Sequence, residues 1–412
     1  MYRIWKRMEE YSLLLLIGAG LALVWGNLDP AGYHHFIETT LWTGGAVGAL
    51  QPDGTRVLTL HYLINDLAMA LFFAVAGKEV WEATALKRGA LRGPKAFAPL
   101  IATAGGMAGP VTVYLLGALL IGQFAELAHG WAIPTATDIA FSYLVGRVVF
   151  GARHPAVTFL LMLAIVDDAA GLVILAIFYP TGPLAPAWLL VSLGAAVGVW
   201  LLANKLPRML DRGDPARPAS KVAERLGAIP YVIAGGISWY AFQEAGIHPA
   251  LGLLPIVPTI PHAEIDFGLF AETEDTRTDL LNRIEHALKP VVQVVLFLFG
   301  LANAGVEFSA MGPATWLVLA GLVIGKPLGI FLFGWIAAKP MGLGLPRGMR
   351  LADLFVLGCV AAIGFTVSLF VAGVAFEYGP VQYAARMGAL LSFGAAAIAI
   401  LAGRLLKVER RD

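Results

Sequence analysis

The sequence predicts an all-α polytopic membrane protein with twelve transmembrane helices, on three observations. Of its 412 residues, 58% are hydrophobic and only 14% charged, whereas a soluble domain carries about 25% charged residues. Apolar runs of roughly 20 residues, the length that crosses a bilayer core, recur along the whole chain. Basic residues collect in alternate connections between these runs, as they do on the cytoplasmic side of membrane proteins. The net charge of +1 offers no bulk field for nucleic acid, and the single cysteine, Cys359, excludes an intrachain disulfide framework.

Taken in order, the spans are expected near 11–27, 61–80, 96–121, 130–149, 156–178, 184–204, 227–243, 248–261, 290–306, 313–337, 354–375 and 381–405. The fourth and eighth carry the weakest pattern, being short or interrupted by proline. Arg3, Lys6 and Arg7 precede the first span. No small-x-small cleavage site follows Tyr11–Trp25, so this span is read as retained and not as a signal peptide. Basic clusters then fall after span two (Lys87, Arg88, Arg92, Lys95), between six and seven (Lys205 to Arg225) and at the end (Arg404, Lys407, Arg410, Arg411). Smaller ones, such as Arg147 and Arg153 between four and five, keep the same alternation. The opposite loops offer little beyond Arg56 and Arg386, which predicts both termini in the cytoplasm. In the long external loop, Pro52-Asp53-Gly54 between Ala49–Gln51 and Val57–Leu60 predicts a hairpin. The internal loop 262–289 is acidic, with Glu264, Asp266, Glu272, Glu274, Asp275, Asp279 and Glu285. It reads as a solvated connector or as a funnel for cations.

Few ionisable residues lie inside the spans, and each is informative. Asp167 and Asp168 sit side by side in the apolar run Leu160–Leu175. A carboxylate at the bilayer centre costs about 2.5–3.5 kcal/mol, and two neighbours also repel. Such a pair has to bind something cationic. Lys326, in Gly325-Lys326-Pro327 with apolar residues on both sides, is too deep to reach water easily and needs an anion. Asp167, Asp168 and Asp138 are the candidates. Asp138 follows Pro134-Thr135-Ala136-Thr137. Pro134 removes a backbone donor and clashes with the preceding turn, so the helix kinks or breaks there, and Asp138 either caps the restarted helix or ligates an ion. Gly364, Phe365 and Thr366 mark a second, weaker candidate break. Asp66 reads as interfacial. A deprotonated carboxylate pair holds a hard cation such as Na+ or Li+, and a protonated pair releases it. Opened alternately to each side, that competition suffices for exchange. No Walker-type nucleotide motif is present, so an ion gradient and not ATP is the expected driver. A transporter, not an enzyme, is expected.

The segments Ile64–Phe73, Gly130–Phe141, Leu163–Asp168, Ala176–Tyr179, Ile284–His286, Ala302–Val306, Ile324–Ile330 and Ile363–Ser368 resemble, in order, those of the NhaA family of sodium/proton antiporters. The resemblance runs nearly the whole length. It implies one membrane domain over 1–412, with inverted repeats in a core of 96–178 and 313–405, the other spans forming the dimer side. The inverted-repeat architecture is what the resemblance implies. It also implies two broken helices crossing at the midplane, Asp168 as main ion-binding carboxylate and Asp167 as partner of Lys326. Thr137 becomes a candidate ligand and Asp138 a compensator of helix-end charge. The implied activity is electrogenic export of Na+ or Li+ against H+, with no cofactor, in a homodimer within the lipid of the bacterial cytoplasmic membrane. Glu79, His248 and Glu285 match pH-sensing positions. Here, however, Lys78-Glu79-Val80-Trp81-Glu82-Ala83 stands where the family usually has Leu-Glu-Val-Lys-Arg-Glu, which changes the charge around them.

Three other readings compete. Residue type alone leaves open K+ or another monovalent cation. An intramembrane aspartyl protease needs its two aspartates on separate helices, in Tyr-Asp and Gly-x-Gly-Asp settings that do not occur here. A channel has no need of a titrating pair matched to a lysine.

Overall fold

The computed structural model describes residues 2–86, 89–93, 96–212, 214–262 and 280–411. Most of the acidic connection expected at 262–289 lies outside these residues.

The chain starts with helices α1 (Tyr2–Leu28) and α2 (Pro30–Ile37) and three short strands, β1 (Thr40–Thr43), β2 (Ala49–Leu50) and β3 (Arg56–Thr59). Helices α3 (Leu60–Ala85) and α4 (Phe97–Leu120) follow. A 3-10 helix, Ala128–Thr135, leads to α5 (Ile139–Phe150). Then come α6 (Pro155–Phe178) and α7 (Trp188–Leu210), α8 (Pro218–Leu226) and α9 (Ile229–Glu244), and α10 (Leu280–Asn303) and α11 (Pro313–Ala338). Last are α12 (Leu351–Ala361), α13 (Phe365–Ala375) and α14 (Pro380–Leu405). Among the described residues, seven helices are long and apolar enough to cross a bilayer, or eight with α12 and α13 taken as one bent span. This is a multi-span helical membrane protein.

Two compact units divide the chain. The first comprises Phe36–Gly89 and Leu175–Leu296. Its strands form an antiparallel sheet in the order β1-β3-β2, with Thr43 opposite Val57 and Leu50 opposite Arg56. The expected hairpin is there: Thr55 N–H donates to Asp53 Oδ1 at 2.9 Å, and Gly54 takes φ +81°, a turn value that suits glycine. Strand β1 was not expected. Helix α7 packs on α9 through Ser192 and Ser238, whose hydroxyls lie 2.7 Å apart.

The expected eighth span, 248–261, is not an α-helix. It consists of turns and two single-turn 3-10 helices, Pro249–Leu251 and Val257–Thr259. Pro249, Pro255, Pro258 and Pro261 each lack the N–H that an α-helical ladder needs, and each ring clashes with the preceding turn. The apolar run is real, but its backbone cannot wind.

The second unit comprises Tyr2–His35, Ala90–Ile174 and Phe297–Asp412. Its central crossing is α4 on α11. A Cβ at Gly105 would lie 2.2 Å from Gly329 O, and one at Gly329 2.0 Å from Gly105 O. Gly109 and Gly325 repeat the contact one turn along, at 2.2 Å. Small residues four apart let two membrane helices approach until their backbones touch. Gly329→Val is therefore expected to force the pair apart and to lower the thermal unfolding midpoint of detergent-solubilised protein clearly, since overpacking costs about 1–3 kcal/mol. Gly194→Ala, where a Cβ meets nothing within 4 Å, is the control and should leave the midpoint in place or raise it. A Gly329 variant as stable as this control would refute the close crossing.

Candidate functional site

The fourth expected span breaks where Pro134 predicts. The 3-10 helix ends at Thr135, residues 136–138 are not helical, and α5 restarts at Ile139 with Asp138 as its N-cap. The second break separates α12 from α13, which bend by 52° across residues 362–364. The two breaks lie against each other. Asp138 N–H donates to Ile363 O at 2.7 Å.

Broken helices leave backbone groups without partners, and in a bilayer each must be satisfied internally. Hydroxyls do this work in both directions. Thr137 Oγ1 donates to Ala361 O at 3.2 Å and Ser142 Oγ to Val360 O at 3.1 Å. In return, Ser368 Oγ donates to Ile133 O at 2.7 Å. Gly364 N–H finds Ser392 Oγ at 3.2 Å. Phe365, Phe141 and Phe393 pack edge to face or tilted around the crossing, with centroids 4.2–5.9 Å apart.

Asp138 serves two helices at once. Its Oδ1 accepts from Phe141 N–H of α5 at 3.2 Å, and its Oδ2 from Thr366 N–H of α13, also at 3.2 Å. The Thr366 hydroxyl donates to the same Oδ2. Helix N-termini carry partial positive charge, so one carboxylate neutralises the two ends that meet here. These are the hydrogen bonds of an N-cap.

Lys326 is fully buried. It follows directly on a π-helical turn, Gly321–Gly325, a local register shift that is frequent at functional sites. Its Nζ lies 2.8 Å from Asp167 Oδ2 and also donates to Thr135 O, at the C-terminal, partially negative end of the 3-10 helix. Asp167 is buried, whereas Asp168 is half-buried. Successive residues on a helix point in directions about 100° apart, so the two carboxylates face different surroundings. Asp168 remains within electrostatic reach of the Lys326 ammonium. The crossing therefore gathers carboxylate, hydroxyl and carbonyl oxygens, the donors that suit hard cations.

The residues expected to sense pH do not gather in one place. In the first unit, Lys78 Nζ lies 2.8 Å from Glu82 Oε2 and 2.8 Å from Glu285 Oε2, and Lys289 lies 2.9 Å from Glu285 Oε1. Glu79 sits in the field of these four charges. His248 belongs to another cluster. Its Nδ1 accepts from Ala250 N–H at 3.3 Å and lies 3.6 Å from Asp66 Oδ1. Asp66 lies in a π-helical stretch near the start of α3 and faces this histidine.

Ser142 and Ser392 were not singled out in the sequence. Their only signal is a hydroxyl in an apolar helix beside a break, and serine is common in membrane helices.

The model of the family described as Na+/H+ antiporter 1 matches residues 3–405 of the chain. The chain belongs to this family. It is 65% identical, over 100% of both chains, to a Na(+)/H(+) antiporter NhaA of Jannaschia sp. (strain CCS1). It is 45% identical, over 98% of both, to a Na(+)/H(+) antiporter NhaA of Geobacter sulfurreducens. Among solved structures, the sodium proton antiporter MjNhaP1 from Methanocaldococcus jannaschii covers 98% of this chain and 100% of its own, at 14% identity and a TM-score of 0.49, a distant likeness. Members of the Na+/H+ antiporter 1 family move ions without making or breaking covalent bonds, so the chain is a transporter and not an enzyme.

Proposed function

We propose that this Na+/H+ antiporter exports Na+ or Li+ electrogenically against imported protons, by competition of cation and proton for Asp167 and Asp168 under alternating access. The observation that carries this is the buried 2.8 Å pair of Lys326 with Asp167 beside the more open Asp168, where two helices break. Asp168, with Asp167, holds the cation, and the Thr137 hydroxyl, which donates to Ala361 O, keeps lone pairs for it. Asp167 alternates between Lys326 and a proton. Asp138 offsets helix-end charge. Pro134, Gly364, Phe365 and Thr366 form the breaks that bring these groups together.

The same reading extends to the architecture. Twelve spans with inverted repeats would put a transport core at 96–178 and 313–405, and the remaining spans on the side of a homodimer joined through the hairpin near 45–58. The compact unit of Ala90–Ile174 and Phe297–Asp412 follows that division except that it also takes in Tyr2–His35, the first span. Both termini face the cytoplasm of a bacterial cell, in the inner membrane. Lipid contact is supported by α8, whose Lys221 and Arg225 lie beside exposed Val222 and Leu226, the composition of a helix lying on an anionic surface. Glu79, Glu285 and His248 are proposed to respond to pH. Lys78 supplies an extra positive charge to the first two, so their response departs from the family's.

Everted membrane vesicles with an imposed proton gradient test the function. Adding Na+ or Li+ should collapse the gradient, read by an internal pH dye, between about pH 6.5 and 9, a range that brackets shifted carboxylates. Failure of Na+, Li+ and K+ alike would sink the exchange reading. A response to K+ alone would replace Na+ with K+ as cargo.

A further inference from the structure

Helix α13 starts at the crossing, where Thr366 holds Asp138, and ends 11 residues on. The peptide dipoles leave the carbonyls at that far end unpaired and partially negative. Two side chains of α14 lie against the last turns of α13, and Gln382 bonds to its carbonyls. Gln382 Nε2 donates to Gly373 O at 2.9 Å and to Phe376 O at 2.7 Å. Arg386, one turn further on the same face of α14, lays its guanidinium on Gly373. A Cβ there would lie 3.0 Å from Nη2 and 3.9 Å from Nε.

The sequence counts Arg386 with the external loops, although it falls near the start of the expected span 381–405. The structure puts it inside α14, only 5% exposed. Its Nε has no hydrogen-bond partner among the described residues, and its charged or titratable neighbours there are three tyrosines. These are Tyr33 of α2, Tyr378 of the turn before α14 and Tyr383 of α14 itself, with the His34 ring of α2 packed on Tyr378 and Tyr383. A buried guanidinium without a carboxylate needs another counter-charge. What lies against it on α13 is Gly373, in the penultimate stretch of that helix. Helix α5 repeats the pattern: Asp138 at its start, Arg147 in its last turn.

We propose that Arg386 is a positioning residue for the ion site. Its charge offsets the far end of α13 and so sets the potential and the axial placement of the end that holds Asp138. This rests on the crossing being the ion site. The titratable groups there are Asp138, Asp167, Asp168 and Lys326.

Removing a positive charge that lies beside Gly373, about 11 Å along α13 from Thr366 at 1.5 Å per residue, makes the site more negative, so protons are held to higher pH. Arg386→Met should shift the pH profile of Na+-driven exchange in everted vesicles to the alkaline side by about 0.5 unit, roughly threefold in proton concentration. Arg386→Lys should keep the wild-type profile. Gly373→Ala, which eases the guanidinium back by a few tenths of an ångström, should shift it only slightly in the same direction. Equal losses of rate in the Met and Lys variants with an unmoved profile would reduce Arg386 to packing and overturn the proposal. If Arg386→Met fails to insert, Arg386→Gln, which keeps a polar side chain but removes the charge, takes its place, and an unmoved profile there overturns it. Asp168→Asn in the same vesicles separates the two readings. Exchange retained there rejects the ion site itself, while an inactive Asp168→Asn beside an unresponsive Arg386 series rejects only the role given to Arg386.

Discussion

Asp168→Asn is expected to abolish Na+-driven proton movement in vesicles, by at least about 100-fold, while the protein still inserts and folds. The amide matches the carboxylate in size but carries no charge for Na+ and releases no proton. Asp168 is half-buried and is not the direct partner of Lys326, so the Lys326–Asp167 pair survives the change. The thermal midpoint should stay within a few degrees of wild type, as for substitutions outside a buried network. Exchange that persists in this variant would remove Asp168 from the mechanism. A collapsed midpoint would make it a structural residue instead.

Lys326→Ala should have the larger effect on stability. Both partners of the pair are essentially excluded from solvent, at 0% and 1% side-chain exposure. Removing one member of such a pair costs about 3–5 kcal/mol, because a buried charge is left uncompensated. Thr135 O loses its donor at the same time. The unfolding midpoint of the purified protein should fall markedly, and exchange should weaken with an altered pH profile. Adding Asp167→Asn to Lys326→Ala removes the stranded charge. It is expected to recover much of the stability without restoring wild-type exchange. A single variant as stable as wild type would contradict the pair, and a double variant no better than the single would contradict the electrostatic account of it.

The parts of the site that are legible in the sequence are those whose presence costs free energy. Asp167, Asp168 and Lys326 stand out because an ionisable group in an apolar run demands a partner, and the helix geometry then brings Lys326 to Asp167. Pro134 announces its break because no α-helix tolerates its ring without consequence. The break at Gly364 was fainter, since glycine and hydroxyl residues are ordinary in membrane helices. For the same reason Ser142 and Ser392 left no distinguishing mark. The region 248–261 has the hydropathy of a span, but its four prolines outweigh it. Composition reports what a segment can bury, but the backbone donors decide whether it can wind. Arg386 is the opposite case. A charge near the start of a span reads as a loop residue unless the dipole of a neighbouring helix end is counted as its partner.

Asp138 and the Thr366 that holds it are 228 residues apart in the chain. At 5–20 residues per second of synthesis, the carboxylate waits roughly 10–45 s before its second set of donors has been made. During that interval the N–H of Phe141 at the start of its own helix is what it has. The pause falls at the hardest moment for a charged group, on entry into the membrane. The N-cap bond to α5 is therefore the one of the two that can form before the second half of the crossing exists.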